Sequence, residues 1–331
     1  MSDSHSMLVE TADRLFADLA ADPKLEFDAL WGQIAETGFP SLLVGEEQGG
    51  FGGDWLDAVA VLRLAGYHAL PAPLAEAIIA ARLAADAGWE PTEGLTVLAP
   101  VAEGTLADGR FTGRLKSVPW GRVAECVVGS VNGALFRLRR ADAAETAQSQ
   151  NPVGEPRDTL IFDGAPADVA AADTDLFAWG ALTRASLIAG ALDGALARSI
   201  QYANERVQFG KPIGKFQAVQ QALAVFTEEA AAVNCAAQAA ARAMDQGEAA
   251  FEIAAAKLRA NMAAQIGHST AHQVHGAIGF THEFALHRWT RRLVSWTSEC
   301  GSERYWAEWL GGLVAARGAD ALWADITARG G

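Results

Sequence analysis

Apolar residues recur every three or four positions over two long segments in the second half of the chain. The period predicts one buried stripe on each of two helices. The first stripe consists of Leu182, Ala185, Ile188, Leu192, Leu196 and Ile200. The second consists of Val219, Leu223, Phe226, Ala230, Val233 and Ala237. Pro212 and Gly214 lie between them, and because both residue types interrupt helices, the pattern predicts two antiparallel helices joined by a short turn.

The same periods divide the chain into three predicted domains, 1–94, 95–172 and 173–331. Helical spacing fills the first domain, where Asp54 is the predicted N-cap of one helix and another runs from about Leu74 to Ala87. Alternating residues in the second domain predict short strands, a hairpin at Asn132-Gly133 and a polar mobile loop over 141–157. The third domain is helical again, with Ser302 as a predicted N-cap, and four helices with short connections predict an antiparallel bundle.

The predicted fold class is therefore mainly α with a small β domain between an N-terminal helical domain and a C-terminal four-helix bundle. Composition agrees with a globular protein, since 50% of the 331 residues are hydrophobic and 20% are charged. A net charge of −14 argues against nucleic-acid or anionic-membrane partners, which bind basic faces. The chain shows neither a long uncharged apolar run nor a signal-peptide pattern at its start, which predicts a cytoplasmic protein.

The turn between the two helices carries candidate chemistry. It reads R-V-Q-F-G-K-P-I-G-K-F-Q from Arg206 to Gln217. The guanidinium of Arg206 can donate two parallel hydrogen bonds to a phosphate, and the amides of Gln208 and Gln217 can hydrogen-bond a polar ligand. A second interpretation stays open from the residues alone: a solvated loop whose arginine and lysine cap the last carbonyls of the preceding helix.

A second string, Q-V-H-G-A-I-G-F-T, runs from Gln273 to Thr281 at the end of a predicted helix. Gly276 and Gly279 would let the backbone approach a ligand, although an ordinary helix C-cap has the same pattern. Five histidines crowd this region: His268, His272, His275, His282 and His287. No carboxylate at helical spacing completes a zinc or di-iron ligand set, so we expect surface or interface histidines and no metal. The three cysteines, Cys126, Cys235 and Cys300, are far apart and predict reduced thiols.

Both strings resemble signatures of the acyl-CoA dehydrogenase family, R-x-Q-F-G-K-P-I-x-x-F-Q and Q-x-x-G-G-x-G-Y/F-T, with Ala277 replacing a glycine in the second. The resemblance implies the three-domain fold described above and FAD as the cofactor. In this family the two strings hold the adenosine and pyrophosphate of an FAD whose flavin lies in the neighbouring subunit. Carried over residue by residue, the implied FAD contacts are Arg206, Gln208, Phe209, Gly210, Gln217, Gln273 and Gly276.

The catalytic base is where the chain departs from that family. Acyl-CoA dehydrogenases remove the α-proton of the thioester with a glutamate, often in a Y-E-G-T-like motif, while the β-hydrogen leaves as hydride to the flavin. A count without gaps places Cys300 at the glutamate's position and Glu299 beside it. In some members the base lies on the helix before the Arg206 turn, at a place that falls near Gly180 here, and no glutamate occurs between Leu176 and Asn204.

The family's flavin-ring strings, T-E-P-x-x-G-S-D and W-I-T/S-N, are also absent between Leu95 and Ala178. The chain thus resembles the shorter, base-lacking subunit of heteromeric α2β2 acyl-CoA dehydrogenases of steroid side-chain degradation. That resemblance implies an acyl-CoA substrate with a steroid or other bulky acyl chain, and a second acyl-CoA dehydrogenase subunit that supplies the base. Two alternatives remain: a homomeric dehydrogenase with Glu299 as its catalytic base, and a non-catalytic helical assembly protein without flavin.

Overall fold

The computed structural model describes residues 3–22, 24–171 and 174–328 of the chain. Its first part is helical, and the helices are α1 (Asp3–Ala21), α2 (Phe27–Glu36), α3 (Trp55–Tyr67) and α4 (Leu74–Asp86). Asp54 caps α3 as predicted, because its carboxylate accepts the N–H of Asp57 at 2.8 Å. The Asp57 carboxylate in turn accepts the N–H of Asp54 at 3.4 Å, which completes a capping box.

Two four-stranded sheets follow, in the orders β1-β4-β5-β8 and β2-β3-β7-β6. The strands are β1 (Thr96–Leu98), β2 (Ala102–Ala107), β3 (Arg110–Pro119), β4 (Cys126–Val131), β5 (Ala134–Arg139), β6 (Glu145–Ala147), β7 (Arg157–Pro166) and β8 (Asp168–Ala171). Strands β1 and β4 pair in parallel, and the other pairs are antiparallel. The rings of Phe111 and Phe136 stack between the sheets with centroids 4.7 Å apart. The β domain therefore has its own aromatic core.

The hairpin at Asn132-Gly133 is confirmed, since β4 and β5 pair on either side of it and both turn residues have positive φ. The predicted loop over 141–157 is wrong in part. Within it, β6 pairs with β7, with Glu145 opposite Ile161. β6 is a short edge strand, and such a strand can form from polar residues because its pairing needs backbone groups rather than an apolar face. Hydrophobic alternation therefore gave no signal for it.

The third part contains α5 (Leu176–Glu205), α6 (Gln217–Gln246), α7 (Ala250–His275), α8 (His287–Trp296), α9 (Glu303–Arg317) and α10 (Leu322–Ala328). Ser302 caps α9 as predicted and accepts the N–H of Tyr305 at 3.3 Å. The prediction of four helices missed α8 and α10. Helix α8 buries Trp289, Leu293 and Trp296, whose helical spacing is hidden among charged neighbours. The mainly α fold with a small β region between helical parts is nonetheless confirmed.

Helix α5 packs against α3, α6, α7 and α8 and forms the centre of this part. The predicted stripe on α5 is buried except at Ile200, which is 41% exposed. The buried face passes instead through Ser199 and Ala203, since a period of 3.6 residues drifts away from any fixed spacing. Against α3 the backbones nearly touch, because a β-carbon on Gly190 would lie 1.7 Å from the carbonyl oxygen of Arg63. This contact fixes α5 against the N-terminal helices.

Candidate functional site

The segment between α5 and α6 is a β-hairpin rather than the plain helix-to-helix turn expected from the sequence. Its strands are β9 (Val207–Gln208) and β10 (Lys211–Pro212). Phe209 has φ 50° and Gly210 has φ 79°, which is the backbone of a two-residue type I′ turn. The ring of Phe209 is 91% exposed at the tip of this hairpin. Gln208 on β9 and Gln217 at the start of α6 are exposed as well.

Arg206 lies between α5 and β9, with its backbone held on both sides. Its N–H donates to the carbonyl of Tyr202 at 2.8 Å, and its carbonyl accepts from the N–H of Ile213 at 2.8 Å. The Arg206 side chain is exposed and has no hydrogen bond or ion pair with any described residue. Within the described part of the chain, the interpretation that Arg206 caps the carbonyls of α5 is therefore not supported.

The second string lies where α7 ends. Gln273 is exposed in the last turn of the helix, and Gly276 (φ 61°) leads the chain into a 3₁₀ turn, Gly276–Phe280. A β-carbon on Gly276 would meet no atom within 4 Å, so the backbone there faces open space. Phe280 in the same turn is 73% exposed. This end of α7 thus presents accessible backbone and an aromatic ring.

Stacked rings join the two strings. Tyr202, one helical turn before Arg206, stacks on His275 with centroids 4.6 Å apart and planes 24° apart. The ring of Phe284 lies 5.7 Å from Tyr202 and 4.9 Å from His275. Because His275 is two residues after Gln273, this contact places both strings at the same end of the helical bundle.

The expectation of surface histidines is wrong for His275, which is only 3% exposed. Its Nδ1 donates to the carbonyl of Ala271 at 2.7 Å, so the neutral ring carries its proton there. Nε2 is buried and has no partner among the described residues, and burial lowers the pKa of the ring. His268 and His272 contact each other with centroids 4.6 Å apart. In the described part of the chain no three His, Cys, Asp or Glu residues are grouped to hold a metal.

The two positions at which the resemblance places a base face each other. A β-carbon on Gly180 of α5 would lie 2.6 Å from Sγ of Cys300 in the turn between α8 and α9. Cys300 has φ 52°, a left-handed conformation for a residue that is not glycine. Hydrogen bonds hold this turn, from Trp306 Nε1 to the Cys300 carbonyl at 2.9 Å and from Asn261 Nδ2 to the Gly301 carbonyl at 3.2 Å.

Neither position carries a group suited to remove an α-proton. Gly180 has no side chain, and burial raises the pKa of the Cys300 thiol to about 11, so this thiol is protonated at neutral pH. The three cysteines are free thiols, as expected.

Glu299, the alternative base, is held by two arginines. Arg157 Nε and Nη2 donate to its two oxygens at 2.9 and 3.1 Å, and Arg184 Nε donates to Oε2 at 2.6 Å. Burial disfavours the charged carboxylate, but Arg184 and Arg157 outweigh it and lower the pKa of Glu299 to about 2. A carboxylate with that pKa is a very weak base at neutral pH.

Glu299 belongs to a larger buried ionic network that sequence reasoning missed. Arg184 also pairs with Glu76 on α4, while Glu155 accepts from Arg157 at 3.1 Å and from Arg292 at 3.0 Å. The members are Glu76, Glu155, Arg157, Arg184, Arg292 and Glu299. With three acidic and three basic side chains their formal charges balance. One signal was available, because Arg184 lies within a long, mostly apolar segment of α5, and a charged residue buried in such a segment is usually paired.

The space around these groups is narrow. The cavity lined by Glu76, Gly180, Arg184 and Cys300, together with residues of β1 and β3, has a volume of only about 10 Å³. That volume holds at most about one water molecule. No acyl chain fits into this cavity as the chain is folded.

The residues described contain no helix that is both long and apolar enough to span a membrane.

Comparison with known proteins adds independent evidence. Residues 170–303 match the family model described as acyl-CoA dehydrogenase, C-terminal domain. Acyl-CoA dehydrogenase IpdE2 of Mycobacterium tuberculosis is 30% identical over 277 residues, which cover 80% of each chain.

Two solved structures show the same fold. A chain of the ChsE4-ChsE5 complex from Mycobacterium tuberculosis superposes with a TM-score of 0.82 at 21% identity, covering 95% of this chain and 98% of that one. A chain of the Tcur3481-Tcur3483 steroid ACAD G363A variant gives 0.85 at 22% identity, covering 96% and 99%. The 30% identity to IpdE2 over 80% of the chain, together with the matching C-terminal model, shows that this chain belongs to the acyl-CoA dehydrogenase family.

Proposed function

We propose that this chain is one subunit of a heteromeric acyl-CoA dehydrogenase and that a second subunit supplies the catalytic base. The reaction is α,β-dehydrogenation of an acyl-CoA thioester that carries a steroid or other bulky acyl chain. One observation carries the proposal: Gly180 and Cys300, which the resemblance predicts as the two base positions, lie against each other, and neither has a carboxylate side chain. The carboxylates near them, Glu76 and Glu299, are both ion-paired with Arg184, which makes each a poor acceptor for the α-proton of an acyl-CoA.

The residues at the Arg206 end of the bundle fit the adenosine and pyrophosphate half of FAD. An exposed guanidinium without a described partner suits a pyrophosphate, and the accessible backbone at Gly276 leaves room for close approach. The aromatic ring of Phe209 is free to pack against the cofactor or the second subunit. When bound, FAD would supply the acceptor for the β-hydride. Gln208, Gly210, Gln217 and Gln273 are the remaining proposed contacts.

A second subunit is supported by the nature of the relatives. The solved structure that matches at a TM-score of 0.82 is a complex of two named chains, ChsE4 and ChsE5. The matching Tcur3481-Tcur3483 structure is described as a steroid ACAD, which supports the proposed substrate class. We therefore infer that the flavin pocket and the glutamate lie on a partner whose FAD reaches across to Arg206.

The homomeric alternative requires Glu299 to act as the base. Its two arginine partners and its lowered pKa oppose that role, because proton abstraction would have to break a buried ion pair at both oxygens. The alternative without flavin remains a distinct outcome of the test.

The test is to purify the chain alone and together with a second acyl-CoA dehydrogenase chain that has a glutamate at the place of Cys300. We expect a stable hetero-oligomer that retains FAD absorbance and dehydrogenates acyl-CoA, while this chain alone shows no dehydrogenation. A chain that is active by itself would support the homomeric alternative. An assembly without flavin absorbance would support the structural role.

A further inference from the structure

The narrow cavity beside Arg184 carries an inference that deepens the proposed function and rests on it. Arg184 lies on α5 one helical turn after Gly180, and its side chain is 5% exposed. Its Nη2 pairs with Glu76 on α4, and its Nε donates to Glu299 before α9 at 2.6 Å. The guanidinium is thus fixed between two carboxylates from distant parts of the chain. Both contacts raise its pKa well above the ordinary value against the opposing effect of burial.

The position of this guanidinium determines what can enter. In a subunit with a base at Gly180 or Cys300, the α-carbon of the thioester has to approach that base, since a proton is transferred over hydrogen-bond distance. Here Arg184 and Glu76 line the same cavity as Gly180 and Cys300, and about 10 Å³ remain. Displacing the Arg184 guanidinium with an acyl chain would also be unfavourable, because Glu76 and Glu299 would become buried carboxylates without this partner.

We propose that Arg184 is a substrate-excluding residue that keeps acyl-CoA thioesters out of this subunit and so leaves binding to the second subunit alone. The ion pairs with Glu76 and Glu299 hold the Arg184 guanidinium in place. Arg157, Glu155 and Arg292 extend the network into the β domain and α8. The ion pairs that narrow the cavity therefore also connect the three parts of the chain.

The test uses octanoyl-CoA as the probe and the full chain. In wild type, isothermal titration calorimetry should detect no binding of octanoyl-CoA. The triple variant Glu76→Gln, Arg184→Ala, Glu299→Gln removes the guanidinium and neutralises both of its partners. In this variant, octanoyl-CoA should bind at about one site per chain. The variant Arg184→Lys keeps a long cation in the cavity and should bind no probe.

Cys300 reports on the cavity independently. A Cys235→Ser background removes the exposed thiol, and Cys126 is buried in β4. In this background, reaction with a thiol reagent therefore reports on Cys300. Because Cys300 is partly exposed, a thiol reagent should modify it slowly in wild type and at least tenfold faster in the triple variant. Binding of octanoyl-CoA by wild type would overturn the proposal even if the triple variant failed to fold. A folded triple variant that gained neither property would overturn it too.

These outcomes are separate from a failure of the proposed function. If no FAD-containing hetero-oligomer formed, the proposed function would fail whether or not the cavity were closed. If the hetero-oligomer formed but this chain bound octanoyl-CoA by itself, only the role of Arg184 would be wrong.

Discussion

Gly180 on α5 and Cys300 between α8 and α9 are in such close contact that a β-carbon on Gly180 would lie 2.6 Å from the thiol sulfur. Such an approach is well inside normal van der Waals separation. Large side chains at both positions would therefore exclude each other, and the contact makes a direct prediction about stability.

Gly180→Ala should lower the free energy of unfolding by about 1 to 3 kcal/mol through overpacking. The better helix propensity of alanine should offset roughly 1 kcal/mol of this loss. In a Cys300→Ala background the same change should be neutral or stabilising. Gly311→Ala on α9 is the matched control, since its β-carbon would meet no atom within 4 Å. Chemical denaturation of the four variants in a double-mutant cycle measures the coupling. Equal effects in both backgrounds would contradict the contact.

Arg206→Ala should weaken FAD retention by the hetero-oligomer by about 1.5 to 3 kcal/mol, the usual value of a hydrogen bond to a charged group. Arg206→Lys should restore little of it, because a point charge cannot replace a planar fork. Flavin absorbance after dialysis measures the effect, and Arg242→Ala, another exposed arginine on α6, serves as control. Full flavin occupancy in the alanine variant would show that the hairpin is only a structural loop.

Phe209→Ala and Phe209→Leu should leave the thermal midpoint of the isolated chain unchanged, because the ring is 91% exposed. Both variants should reduce FAD content in the hetero-oligomer, and alanine should do so more strongly since it removes more contact area. Val207→Ala changes another exposed side chain of the same hairpin and should have no effect on FAD. A lowered thermal midpoint with unchanged flavin content would assign the ring to the core.

Glu299→Gln should leave dehydrogenation by the hetero-oligomer near wild type, whereas neutralising the second subunit's glutamate should lower the rate by about 10² to 10⁴. Stopped-flow measurement of flavin reduction separates the two. A loss of three decades on Glu299→Gln with intact FAD content and assembly would make Glu299 the base and this chain the catalytic one.

Acid should unfold the wild-type chain partly through Glu299. Its pKa falls from the ordinary 4.5 to about 2 on folding, so the stabilisation is complete above pH 4.5 and is lost as the pH falls toward 2. The full contribution is on the order of 3 kcal/mol. Glu299→Gln should remove this part of the pH dependence, as measured by urea denaturation between pH 6 and pH 3. Parallel curves for both proteins would contradict the ion pairs with Arg157 and Arg184.

Local patterns were sufficient for much of the fold. Apolar periods predicted α3 to α7, and short polar signals predicted the caps at Asp54 and Ser302 and the hairpin at Asn132-Gly133, all of which the structure confirms. These features depend on interactions between residues a few positions apart, so a short stretch of sequence is enough to predict them. The two strings at Arg206 and Gln273 were visible for the same reason, and their assignment to FAD stays a prediction.

The tertiary structure decided what surrounds those residues. Glu76 and Arg184 are 108 positions apart, and Arg157 and Glu299 are 142 apart, so no local pattern pairs them. Such pairs form only when the helices and the β domain come together and bury both charges. The same packing buried His275, narrowed the cavity beside Cys300 and placed Gly180 against the Cys300 thiol. The missing base stays a prediction from the sequence alone, whereas the pairing of distant charges, which only the tertiary structure decided, fills the space beside Gly180 and Cys300.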